Sequence, residues 1–175
     1  HRIWMLSQIR RQWVMKSKVA YFGIFTSLAL IFSYVESLIP ISFGIPGVKL
    51  GLANLITILV LYKMSVKEAY LVSVVRVVLS GFMFGNLFAI LYSLAGGLLS
   101  LAMMNLFRRT DRFSIYGVSM AGGVFHNVGQ FIMAMLVVES VSIAGYLPVL
   151  LVAGLATGLV IGIVSNEMLK RLKNF

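Results

Sequence analysis

Apolar residues in this chain gather into six runs, at about residues 19–39, 50–62, 68–84, 87–107, 115–138 and 146–169. Uninterrupted runs of this kind predict membrane-spanning helices, which carry their own backbone hydrogen bonds into lipid. The second and third runs are near or below the roughly 17–25 residues that a spanning helix needs. They are expected to be partly unwound or sunk within the bundle. The fold expected is therefore all-α, a polytopic membrane bundle of six transmembrane helices.

The polar interruptions between these runs have a sign. Arg2, Arg10, Arg11, Lys16 and Lys18 precede the first run, and Lys63 and Lys67 join the second to the third. Arg108, Arg109 and Arg112 join the fourth to the fifth, and Lys170, Arg171 and Lys173 follow the sixth. Of the 15 Lys and Arg residues, only Lys49 and Arg76 fall elsewhere. Cations concentrated at one set of segment ends predict, by the positive-inside rule, a multi-pass protein of the cell membrane with both termini cytoplasmic. The opposite connections carry Glu36, Pro40, Pro46, Lys49, residues 81–86 and Glu139, and are too short for a large external domain.

Ahead of the first run, Ile3, Leu6, Ile9 and Trp13 recur at helical spacing beside Arg2, Arg10 and Arg11. Residues 1–17 read either as a basic interfacial helix on the inner leaflet or as an extension upstream of a start at Met15. Residues 18–175 read as a single six-helix membrane domain. No cleavable secretory signal is expected, because the first apolar run is too long for a typical signal core.

Composition agrees with the patterning: 60% hydrophobic residues, 11% charged and a mean hydropathy of +0.98 lie far outside the usual mix of a soluble domain. The formal net charge of +10 does not indicate nucleic-acid binding, since the cations sit in short clusters suited to anionic lipid headgroups. With no cysteine, disulfides, thiolate catalysis and cysteine metal sites are excluded.

Polar residues inside apolar runs carry the candidate chemistry, because charge at that depth is costly and faces a cavity or a partner. At 1.5 Å per residue, Arg76 lies about 13 Å beyond Lys67, and Asn54 lies at a similar depth beyond Lys63. His126 and Gln130 lie roughly 21 and 27 Å beyond Arg112, and Glu36 approaches the outer edge of the first run. His126 and Gln130 are four apart and share a helix face; Asn127 and Gln130 nearly do. Together with Lys49 and Tyr92, these residues predict an outward-opening site with apolar walls and a few orienting polar groups. Lys49 and Arg76 would favour a carboxylate or phosphate.

Each candidate has a structural alternative. Arg76 could pair with Glu36 and tie two helices together. Lys49 could snorkel to the outer interface, and Tyr92 could pack or anchor there. Asn54, Asn127 and Gln130 could be interhelical glue, and a lone His126 is poor support for a metal. No metal site is expected.

Small residues indicate where helices approach closely. Ala20, Gly23 and Ser27 form a stripe on the first run; Gly154, Gly158 and Gly162 repeat every four residues on the sixth.

The run Ile45-Pro46-Gly47-Val48-Lys49-Leu50-Gly51-Leu52-Ala53-Asn54, preceded by Glu36-Ser37-Leu38-Ile39-Pro40 and followed by Arg76 and His126-Asn127-Val128-Gly129-Gln130, resembles the Gx transporter family. That family is also labelled heptaprenyl diphosphate synthase component I, and is similar to the S components of energy-coupling factor transporters. The resemblance covers about residues 18–170. It implies a membrane subunit that captures a vitamin-like or cofactor-like small molecule from outside. Its implied partners are a transmembrane coupling subunit, docked through the Ala20, Gly23 and Ser27 stripe, and two cytoplasmic ATPases. ATP would enter only through those partners, since the chain has no G-x-x-x-x-G-K-[ST] motif. The synthase label implies prenyl-chain chemistry, for which clustered aspartates would hold magnesium. The single aspartate, Asp111, argues against catalysis by this subunit alone. A noncatalytic role beside a soluble prenyl synthase is the alternative to transport.

Overall fold

The computed structural model describes residues 2–39, 51–138 and 141–172, with side-chain environments from Lys18 onward apart from residues 141–143. Its elements are helical throughout: α1 (Arg2–Leu38), α2 (Asn54–Lys63), α3 (Val66–Phe84), α4 (Leu87–Arg109), α5 (Ile115–Val138) and α6 (Leu147–Leu172), with a 3₁₀ segment at Val141–Tyr146 leading into α6. The apolar runs of the sequence and the observed helices coincide to within a few residues, except that α1 begins at Arg2, well ahead of the first run.

Among the described residues, four segments are long and apolar enough to cross a membrane: Lys18–Leu38, Leu87–Arg109, Ile115–Val138 and Ala144–Leu172. α3 has 19 residues but carries Lys67, Glu68 and Arg76. α2 has only 10 residues, about 15 Å of helix against a hydrocarbon core of about 30 Å. The helical spacing of Ile3, Leu6, Ile9 and Trp13 continues without a break into the first span, because α1 is one helix of 37 residues. At about 55 Å it is nearly twice as long as the hydrocarbon core is thick.

The sinking expected for a short second segment is realised in α2. Every residue from Asn54 to Leu61 is buried, and α2 touches all five other helices. Ile56, Ile58, Leu59, Val60 and Leu61 form the centre of a core to which α1 contributes Ala29, α3 Val72, α4 Leu101 and Met104, α5 Val118, and α6 Ile161. Around it, α1 packs on α3, α3 on α4, α4 on α5 and α5 on α6. A helix apolar all round can occupy that central position, whereas the outer helices turn residues such as Ile24, Ile31, Val152 and Val160 outward. Those exposed side chains suit a lipid surround, so helix association here rests on close packing and interhelical hydrogen bonds rather than on withdrawal from water.

The glycines of α6 are the clearest case. A Cβ at Gly154 would lie 2.7 Å from the carbonyl oxygen of Gly123, and one at Gly158 would lie 2.7 Å from the Cα of Met120. The α6 stripe therefore brings two backbones into contact within this chain. The α1 stripe behaves differently: Ala20, Gly23 and Ser27 are exposed, and a Cβ at Gly23 would meet nothing within 4 Å. At one end of the bundle the basic helix termini meet. Lys63 donates to the carbonyl of Leu172, and Arg108 donates to the carbonyl of Leu61 while lying 5.5 Å from the centre of the Tyr62 ring.

Candidate functional site

A polar seam crosses this apolar bundle, and each helix from α1 to α5 supplies part of it. On α1, Ser33 and Glu36 are three apart and both buried. The Glu36 carboxylate accepts the backbone N–H groups of Gly51 and Leu52, the latter at 3.3 Å. These donors lie just ahead of α2, whose N-cap residue, Ala53, has no side-chain oxygen to satisfy them. A carboxylate from another helix does that work, and it favours the positive end of the helix dipole.

Gly51 is required by its backbone. Its φ of +80° lies in the left-handed region, and a Cβ there would sit 3.0 Å from the His126 ring and 3.1 Å from the Asn54 side-chain amide. The same imidazole also comes close to Gly96 on α4, where a Cβ would lie 3.1 Å from Cε1 of the ring and 2.8 Å from Cγ of Gln130. The Nε2 end of His126 is thus closely approached by two glycines, with Gln130 one turn further along α5. Asn54 extends the seam inward: its amide donates to Ser100 Oγ at a long 3.5 Å, and Ser100 donates in turn to the carbonyl of Gly122 at 2.8 Å.

Arg76 occupies the α1–α3–α4 side and is 4% exposed. Nη1 donates to Ser33 Oγ at 3.1 Å, and Glu36 acts on the guanidinium electrostatically. Nη2 faces α4, 3.9 Å from where a Cβ would stand on Gly97, and Ser73 Oγ is 3.2 Å from the same point. Nε and Nη2 have no hydrogen-bond partner among the described residues. Buried polar groups are ordinarily hydrogen-bonded, so two unfilled charged donors mark a place where something else belongs.

The structure therefore brings Glu36, Asn54, Arg76, His126 and Gln130 into one seam. Asn127 lies on the other side of α5, donating from Nδ2 to the carbonyl of Leu150 on α6 at 2.6 Å. Tyr92 is buried in a separate apolar cluster with Phe131, Ala134 and Leu150. Lys49 lies outside the described residues. Among the described residues no three His, Asp or Glu side chains gather as a metal site would require. Sequence reasoning missed Ser33, Ser73, Gly96, Gly97 and Ser100. For the α4 residues the signal is the stripe Ser93, Gly96, Gly97 and Ser100, which keeps one face of that helix small and polar at helical spacing.

A family model, heptaprenyl diphosphate synthase component I, matches residues 25–168, which include every residue of the seam. The chain belongs to the heptaprenyl diphosphate synthase component I family. No curated protein and no solved structure matches it. The name is that of one component of a multi-component synthase. In this component I chain, Glu36 is the carboxylate the seam contains among the described residues, while Glu68, Asp111 and Glu167 stand near helix ends. Among the described residues the seam also holds charged donors without partners, at Arg76 Nε and Nη2.

Proposed function

We propose that this chain is a membrane-embedded binding subunit that captures a small anionic, vitamin-like or cofactor-like molecule for uptake. The reading places both termini in the cytoplasm, with six membrane passages if α2 and α3 count as a short central pair. The observation that carries it is Arg76, a buried cation near Glu36 with two donors unfilled among the described residues, one of them facing Gly97 of α4. In this scheme Arg76 neutralises the anionic group, and Asn54, His126 and Gln130 supply hydrogen bonds. A transmembrane coupling subunit and two ATPases would provide the energy. The exposed Ala20, Gly23 and Ser27 face of α1 supports docking, since it admits a close backbone approach.

A second reading is favoured by the family's name: a noncatalytic membrane partner of heptaprenyl diphosphate synthesis, holding a lipid diphosphate for a soluble enzyme. Both readings place an anion at Arg76, and they differ in what it belongs to.

Native mass spectrometry of the gently solubilised protein, beside an Arg76→Ala variant, separates them. A defined water-soluble metabolite lost in the variant supports uptake. A retained prenyl diphosphate supports the biosynthetic role. An empty protein in both samples counts against either, and leaves Arg76 as a tie between α1 and α3.

A further inference from the structure

We propose that the Nε–Nη2 edge of Arg76, on the side of the guanidinium that faces α4, is a bidentate fork for a single oxyanion group, a carboxylate or a phosphate. The inference rests on the binding role proposed above and specifies the chemistry of its ligand.

A guanidinium carries five N–H donors in a rigid plane, so which nitrogens are free matters more than how many. In Arg76, Nη1 is committed to Ser33. The two nitrogens without a partner among the described residues, Nε and Nη2, are those whose N–H bonds run side by side along one edge. Two parallel donors of this kind match the two oxygens of a carboxylate, or two oxygens of a phosphate. A helix tie made for structure alone would be expected to fill that edge from a neighbouring side chain, as Ser33 fills Nη1.

Position 97 is glycine, and the space its side chain would occupy lies 3.9 Å from Nη2 and 3.2 Å from Ser73 Oγ. Even a methyl there would crowd Ser73 and come into contact with Nη2. Glycine at 97 thus lets α4 approach α3 closely beside a desolvated cation, with Ser73 at hand to supply a third polar contact. Glycine is not needed there for conformation: Gly97 lies within α4 and is absent from the positive-φ glycines. Helix propensity alone would favour alanine.

The test uses the full chain in lipid nanodiscs with ¹⁵N-labelled arginine, the Arg76 Nε–H resonance being assigned by its loss in Arg76→Lys. Sodium acetate, phosphate and diphosphate are titrated at constant ionic strength against sodium chloride. The expected result is a saturable shift of the Arg76 signal with an oxyanion and none with chloride. An acetate response identifies a carboxylate ligand; a phosphate or diphosphate response identifies a phosphorylated one. Gly97→Val keeps the reporter and should weaken the response. Arg76→Lys, followed by oxyanion-dependent thermal stabilisation, keeps the charge but should lose about 30-fold or more in apparent affinity.

An Arg76 signal that answers to none of the three oxyanions, as it would if water filled the fork, overturns the proposal. So does a Lys variant that is stabilised as well as the wild type. A small molecule retained in native mass spectrometry beside an unresponsive fork overturns the fork alone. A responsive fork in a protein that retains no molecule overturns the uptake reading alone.

Discussion

Replacing Gly51 with alanine tests whether the α2 entrance holds His126 in place. Two effects add. The backbone at φ +80° places a Cβ in the left-handed region, which costs roughly 1–2 kcal/mol for an L-residue. The new methyl would stand 3.0 Å from Cδ2 and 3.2 Å from Nε2 of His126, and 3.1 Å from Nδ2 of Asn54. Overpacking of that kind typically costs 1–3 kcal/mol. His126 cannot move freely, because Gly96 already lies close to its Cε1, so the sum should fall at about 2–5 kcal/mol. The assay is reversible unfolding in mixed micelles by increasing sodium dodecyl sulfate. Gly23→Ala serves as control, since a Cβ there meets nothing within 4 Å. A Gly51→Ala protein within about 0.5 kcal/mol of wild type, the range expected for uninvolved surface positions, would refute both the strain and the close approach.

Other outcomes follow from the same geometry. Glu36→Gln should destabilise by about 1.5–3 kcal/mol through its hydrogen bonds to Gly51 and Leu52. Combined with Arg76→Met it should show a coupling of about 0.5–3 kcal/mol, and strict additivity in that double-mutant cycle would contradict the electrostatic link. Gly154→Val should impair folding severely where Gly23→Val does not, because the first forces apart the α5 and α6 backbones; equal expression and equal unfolding midpoints would count against that packing. Ser100→Ala should cost only about 1 kcal/mol, read in the same unfolding assay, since interhelical hydrogen bonds in membranes are individually modest. With no native cysteine, a single cysteine at Thr110 should react with a membrane-impermeant maleimide only in inverted vesicles, and one at Asn86 only in intact cells.

Apart from the start of α1, helix positions were legible in the sequence to within a few residues, as with the apolar run 115–138 and α5 at Ile115–Val138. The physical reason is that a helix in an apolar surround satisfies its own backbone, so length and hydropathy are local properties. The burial of α2 was half legible: its run was visibly short, but only contacts with five neighbours give it the central place. His126 and Asn127 show where local reading ends. Both are polar, adjacent and at similar depth, and nothing local separates them. Successive residues point about 100° apart around a helix, so one meets Gly51 and Gly96 while the other meets the Leu150 carbonyl. The two glycine stripes differ in the same way, that of α6 against α5 and that of α1 facing outward. By itself the sequence determined a basic-ended, all-helical membrane chain with a few costly polar residues at depth. Which of those residues face one another was decided by tertiary packing alone, because facing depends on how each helix is rotated and on what stands opposite it.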